Sequence, residues 1–230
     1  MSDAQGFRKT GKPVAKQNTD SAVDFAAMEP REQLKTMLQA HMADRPFSEL
    51  FDVTFDSHGA SLIGHMLLDT CEEQGYSVDD FDAVGALTAA AVPMVCSMMQ
   101  AAASRGEDLN GFVMDFVYPA IKGPSIAGKR VLLLDAWLSQ KSYVQTSSLV
   151  TLRNGNELSL DFGIIEAQGA QVVAVASLIG GVDMTDPTIR VVDPVKGTES
   201  ELPFIEVFHE SELHSAQLVL RHTMCALQVS

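Results

Sequence analysis

Residues 128–142, GKRVLLLDAWLSQKS, hold the side chain best placed for chemistry. VLLLD reads as a buried strand with Asp135 at its carboxyl end, the place where open α/β sheets hold ligands and where a carboxylate meets a ribose hydroxyl or a metal. An exposed or capping aspartate is the alternative reading. A polar turn after such a strand is a common seat for a phosphorylated ligand, yet the residues after Asp135 include no glycine to let the backbone wrap a phosphate. GPSIAGKR at 123–130 has the outline of a nucleotide-triphosphate loop. Arg130 stands where that loop needs a magnesium-binding hydroxyl, and the segment leads into a strand instead of a helix, so this reading is set aside.

Metal chemistry finds little support in the spacing. Cys71, Cys96 and Cys225 form no CxxC pair and sit among apolar or helical neighbours, which predicts buried free thiols. The six histidines form no HExxH. Asp79, Asp80 and Asp82 make a short acidic run that reads as a solvated turn or a weak cation site.

The elements that must position Asp135 alternate between strand and helix. PREQLKTMLQAHM places Leu34, Met37, Leu38 and Met42 on one helical stripe, and ASLIGHMLLDTCEEQGY does the same for Leu62, Ile63, Met66, Leu67 and Thr70, with Gly75 as its stop. Between them FSELFDVTFDSHG alternates weakly and predicts one or two short strands. FDAVGAL is a short buried strand, followed by a helix with Pro93 in its first turn and Gly106 at its end. GFVMDFV is a strand, YPAIKGPSIAGK a loop by its prolines and glycines, and QVVAVASLIGG a fully buried strand. LSLDFGIIEAQGA predicts a helix with Leu158, Leu160, Ile164 and Ile165 on one face. Before it, SYVQTSSLVTLRNGNEL fits neither period, and Asn154-Gly155-Asn156 marks a hairpin or small excursion. This alternation predicts an α/β domain with a mostly parallel sheet flanked by helices.

The chain has 230 residues and a formal net charge of −14, with a pI near 4.7. That charge opposes a general grip on nucleic acid or an anionic membrane, and no stretch is apolar enough to span one. A cytoplasmic protein is therefore expected. Residues 1–28 read as a disordered basic tail, with Arg8, Lys9, Lys12 and Lys16 against Asp3 and Asp20 near its start. Order is expected from residue 29 as one domain, with an N-terminal helical or hood part at 29–75, a core at 76–213 and a C-terminal extension at 214–230.

The sequence order FDAVGALTAAAVPMVCSMM, GFVMDFV, IKGPSIAGKRVLLLDAWLSQKS, QGAQVVAVASLIGG and LPFIEVFHESEL resembles the type I phosphoribosyltransferases, the orotate enzymes in particular. The resemblance runs from about residue 45 to 213. It implies a type I phosphoribosyltransferase-like, Rossmann-like fold, phosphoribosyl pyrophosphate (PRPP) or a nucleotide as ligand, Mg2+ as cofactor with Asp135 as its ligand, and a homodimer formed near MVCSMMQ. Asp135 falls on the first acidic residue of the PRPP motif, and Ser139, Gln140 and Lys141 on its phosphate cradle, with Ser142 beside them. Thr88 falls on the pyrophosphate turn, and Lys122 is the remaining counterpart of the catalytic loop lysine.

The departures from the family pattern are chemical. Ala136 replaces the second acidic residue, Lys141 replaces a cradle glycine, and Ala89 and Ala90 replace paired glycines. Met114 and Asp115 stand where two cations face the substrate, which reverses the local charge beside a pyrophosphate. The expectation is a catalytically impaired homologue that binds a ligand or regulates nucleotide metabolism. An active phosphoribosyltransferase for orotate or another base is the alternative, and an unrelated α/β ligand-binding domain the second alternative.

Overall fold

In the computed structural model, the described residues are 25–42, 50–115, 117–139, 150–153, 157–160, 163–181, 188–193 and 195–213. The expected tail, apart from residues 25–28, and the extension at 214–230 lie outside them.

Three N-terminal helices, α1 (Pro30–Met42), α2 (Phe51–Thr54) and α3 (Ser57–Glu73), precede β1 (Ala83–Ala86), α4 (Val92–Ser104), β2 (Asn110–Asp115), β3 (Ala120–Lys122) and β4 (Arg130–Ser139). The chain continues through β5 (Val150–Arg153), β6 (Glu157–Leu160), α5 (Gly163–Glu166), β7 (Gln171–Gly181), β8 (Thr188–Val192) and β9 (Glu199–His209). The strands form one sheet in the order β3-β2-β1-β4-β7-β9-β8-β6-β5. Its centre, β2-β1-β4-β7-β9, is parallel throughout. The chain leaves β1 for β2 on one side and returns to β4 on the other, so the carboxyl ends of β1 and β4 flank the topological switch point, where ligands bind in such sheets.

Two apolar layers sandwich this sheet. Leu34, Leu38, Ile63, Leu67, Met94 and Met98 from α1, α3 and α4 meet Leu132 and Leu134 on one face. On the other, Ile164 and Ile165 of α5 meet Val131, Leu133, Val175 and Phe204. A strand buried on both faces must be apolar without alternation, which is why VLLL and VVAVASLIG occupy the middle. Gly85 of β1 leaves room for the Phe112 ring beside it on β2.

The helix ends follow local chemistry. Asp56 caps α3, its Oδ1 accepting from the backbone N–H groups of His58 and Gly59 at 2.9 Å. Gly75 and Gly106, at φ 86° and 81°, turn the chain away after α3 and α4. Arg105 at the end of α4 binds Asp69 of α3 at 2.6 Å and Glu72 at 3.3 Å, tying the two helices together.

Three sequence expectations are corrected. The strands expected in FSELFDVTFDSHG are instead the short helix α2 and the start of α3, because Leu50, Val53 and Thr54 bury together and Asp56 caps the next helix; residues 47–49 of that segment lie outside the described residues. Leu158 and Leu160 belong to strand β6, which pairs antiparallel with β5 and parallel with β8, so the expected helix shrinks to the single turn α5. A leucine pair two apart fits a strand period as well, and the hairpin expected around Asn154-Gly155-Asn156 supplies its partner. Ala120–Lys122, expected as loop, forms an edge strand between Pro119 and Pro124, whose missing N–H groups limit it to three residues. Cys71 is buried as expected, its thiol pushed up to about 12 by burial. Cys96 is exposed, on the side of α4 opposite Met94, Val95 and Met98, and Cys225 lies outside the described residues. Among the described residues no helix is long and apolar enough to cross a membrane.

Gly64 sets the approach of α3 to α4, since an added Cβ would collide with the Ser97 carbonyl and crowd the Ala101 methyl. Gly64→Ala should lower stability by about 1–3 kcal/mol through this overpacking, read as a lower urea midpoint with unchanged m.

Candidate functional site

At the switch point β1 ends at Ala86, and Leu87 and Thr88 follow it. Thr88 has an extended backbone and does not cap the following turn with its side chain. Its hydroxyl instead donates to Asp135 Oδ1 at 2.7 Å. The same oxygen accepts from the Ala136 N–H at 2.7 Å. Asp135 is 3% exposed. Burial pushes its carboxyl up to about 6, and the bonds from Thr88 and Ala136 pull in the opposite direction.

The sequence placed Asp135 at the end of its strand with a turn behind it, and the structure corrects this. β4 continues past Asp135 to Ser139, pairing Trp137, Leu138 and Ser139 with Ile179, Gly180 and Gly181 of β7. Ala136, Trp137 and Leu138 are buried. With no glycine to break it and three apolar side chains to bury, this stretch prolongs the parallel ladder. Ser139 therefore sits on a strand, while Gln140, Lys141 and Ser142 lie outside the described residues.

Lys122, the expected counterpart of the loop lysine, is part of a short strand. It lies on edge strand β3, three strand spacings or about 14 Å across the sheet from β4. Its ammonium group faces Asp115 Oδ2 at 3.8 Å. Asp115 Oδ1 accepts from the Val117 and Tyr118 N–H groups at 3.0 Å, which anchors the β2–β3 turn. The neighbouring Met114 is buried. Arg130 and Lys129 belong to the opposite, amino end of β4, where Arg130 binds Asp82 and the Asp79 carbonyl.

Two residues missed in the sequence join Asp135. Ser177 pairs with Asp135 across β7, and Glu206 pairs with Ser177 across β9. Glu206 is pushed up to about 7 by burial and, secondly, by the negative charge of Glu212. The available signal was a lone polar residue inside each of the apolar runs VVAVASLIGG and LPFIEVF. As a seat for Mg2+ the donor set does not fit. Asp135 offers one carboxylate whose Oδ1 already accepts two hydrogen bonds, Ala136 gives nothing, and no group of three metal-ligating side chains converges among the described residues.

No family model matches the chain. The orotate phosphoribosyltransferase of Streptomyces avermitilis is 33% identical over 151 residues, which span 63% of this chain and 72% of that enzyme. The Mycobacterium tuberculosis orotate phosphoribosyltransferase bound to inorganic phosphate superposes with a TM-score of 0.54 at 17% identity, over 82% of this chain and 92% of that one. The same enzyme bound to PRPP gives 0.50 at 18% identity, over 84% and 98%. The parallel core, with its switch point between β1 and β4, is thus the type I phosphoribosyltransferase fold. At the sequence level the chain belongs to the orotate phosphoribosyltransferase family.

The raised carboxyls have a sign that can be measured. Asp135 and Glu206 hold protons in the folded state at pH values where the unfolded chain has released them. Their neutral forms thus favour folding at low pH, and this contribution is lost as pH rises towards 6 for Asp135 and 7 for Glu206. Asp80 and Asp82, held below the usual carboxylate range by bonds from Ser77 and Arg130, act in the opposite direction only at lower pH. Urea unfolding should therefore show stability falling between about pH 5 and 7. Asp135→Asn should flatten part of that slope and raise stability at neutral pH by about 1–3 kcal/mol.

Proposed function

We propose that this chain is a cytoplasmic ligand-binding or regulatory homologue of the orotate phosphoribosyltransferases, one that holds a ribose-phosphate ligand at Thr88 and Asp135 without transferring the phosphoribosyl group. The observation that carries this reading is the continuation of β4 as a paired strand through Ser139, where a phosphate cradle would need free backbone N–H groups. Charge supports it further. Phosphoribosyl transfer develops positive charge on the sugar while a pyrophosphate departs, so a working site needs cations aimed at the leaving group. Described polar side chains along this edge include Thr88, Asp115, Asp135, Ser177 and Glu206, with His209 closing β9, and Lys122 is drawn to Asp115. Each carboxylate facing a pyrophosphate in a partly desolvated cleft opposes binding by about 1–4 kcal/mol. Magnesium, in this reading, arrives with the phosphorylated ligand and is not resident.

A homodimer is part of the proposal. Between α2, the start of α3 and α4 runs an apolar groove of about 880 Å³ lined by Phe51, Phe55, Val92, Pro93 and Cys96. Phe55 is 73% exposed at its rim. Knob and groove share one face, as a two-fold contact requires. Met94 and Met98 of MVCSMMQ are core residues and leave this surface to their neighbours.

Calorimetric titration with ribose 5-phosphate and with PRPP, with and without Mg2+, tests the ligand. Binding is expected, weakened tenfold or more in Asp135→Ala, with no pyrophosphate released in the presence of orotate, uracil, hypoxanthine or adenine. Turnover with any of these bases would sink the non-catalytic reading. Light scattering should give the mass of two chains, and Phe55→Asp should shift it towards one.

A further inference from the structure

The groove between α2, α3 and α4 is larger and less uniform than a seat for one aromatic ring requires. At about 880 Å³ it lies within the size range of small-molecule sites. Ala60, Ser61 and His65 of α3 and Val92, Cys96 and Gln100 of α4 line it at helical spacing. The two helices run in the same direction, with Gly64 against Ser97 and Arg105 against Asp69 and Glu72. Phe51, Phe55, Val92 and Pro93 therefore crowd the end at the helix starts, and His65, Gln100 and Ser104 stand towards the other. From Ser57 to His65 this is about 12 Å of helix.

The hydrogen-bond state of His65 is set by its neighbour. Arg105 Nη2 lies 3.1 Å from His65 Nδ1. A guanidinium only donates, so Nδ1 is the acceptor and the ring carries its proton on Nε2. Asp69 at 2.6 Å and Glu72 at 3.3 Å fix that guanidinium in place. Ser97 and Ser104 give their hydroxyl protons to the Pro93 and Ala101 carbonyls of their own helix, at 3.0 and 2.7 Å. The His65 Nε2–H has no such bond among the described residues, which leaves it as a donor in the groove wall. A second donor belongs to α2. Thr54 lines the groove, is 3% exposed, and its Oγ1 has no partner among the described residues. A buried hydroxyl in that condition is costly, and an apolar ring seated over it does not repay the cost.

We propose that the groove is a binding site for a small, largely apolar molecule of medium chain length that carries oxygen acceptors, its body along Phe51, Phe55, Val92 and Pro93 and its oxygens on the His65 Nε2–H and the Thr54 hydroxyl. The apolar walls supply the affinity by taking such a chain out of water. The two donors supply the selection, because an analogue without the oxygens leaves them unpaired. The lining includes none of Thr88, Asp135, Ser177 and Glu206, so the site goes beyond the ribose-phosphate reading. Its rim is the surface given above to the second copy. A bound molecule and a second copy therefore exclude one another.

Titration calorimetry on the full chain compares dimethyl nonanedioate, with an ester at each end, and methyl nonanoate, with one. The diester should bind at least threefold tighter although it is the less apolar of the two. His65→Phe should erase that preference. His65→Gln, which keeps an acceptor for Arg105 and a donor for the ligand, should hold it within twofold, and Ala60→Trp, which fills the groove, should abolish binding of both esters. Methyl nonanoate binding as tightly as the diester would overturn the proposal, as would an unchanged preference in folded His65→Phe, binding that survives in folded Ala60→Trp, or no binding by either ester. Light scattering at saturating diester should show the mass falling from two chains to one. Two chains with the diester bound would overturn the exclusion, and one chain throughout would remove the homodimer reading while the titration still decides the groove.

Discussion

Thr88 donating to Asp135 joins the end of β1 to the middle of β4 across the switch point, at 2.7 Å and out of solvent. A carboxyl group in that position is expensive unless its oxygens are satisfied, and burial has already driven its pKa up to about 6. The pairing therefore constrains its surroundings. β1 must end where Thr88 can turn inward, and the turn into α4 must do without a threonine cap. β4 must stay in register with β1 from Val131 to Leu134, so that Asp135 arrives opposite that hydroxyl. In a strand apolar on both faces the register matters through Asp135, because a one-residue slip would turn its carboxyl group to the other face, away from Thr88.

The same strand decides how the edge of the sheet looks to a ligand. Because β4 and β7 stay paired to Ser139 and Gly181, side chains on the strands, and not loop backbone, line the edge as far as the ladder extends. Asp135 brings a carboxyl group to that edge, and Glu206 brings a second from β9. Asp115 adds to the effect by spending itself on the β2–β3 turn and on Lys122, which leaves a cation of the sequence neutralised three strands away from Asp135.

Much of this architecture could be read from residue order, because doubly buried strands and capped helices have strong local signatures. VLLLD, QVVAVASLIGG and the α1 and α3 stripes each appear where their periods placed them, and α4 where Pro93 and Gly106 bounded it. The misreadings share a cause: short segments whose local pattern fits two structures and whose choice is made by a distant partner. Leu158 and Leu160 become a strand because β5 and β8 are there to pair with them. AWLS becomes strand because β7 is long enough to accompany it. The Asp135–Ser177–Glu206 row was illegible for the same reason, since the three residues are separated by dozens of positions and only the parallel register aligns them.

The longer β4–β7 ladder and the polar row belong together. A phosphate loop normally relieves the central strands of polar work, because the ligand is gripped by backbone N–H groups beyond the strand ends. Where the strands continue instead, any polar contact must come from side chains facing one layer, and these must be buried to stand beside Val175 and Phe204. Ser177 is fully buried and Glu206 half-buried with its Oε2 covered, at a stability cost that an apolar pair would avoid. Gly180 makes the same point from the opposite direction. A β-branched residue there would extend the run ASLI and strengthen the ladder, yet glycine occupies the position and the Glu206 carboxyl group fills the space. Sheet packing alone does not favour that exchange of a well-packed apolar side chain for an orphaned acid, so Gly180 and Glu206 have to be accounted for as a pair, each holding its place only with the other as it is.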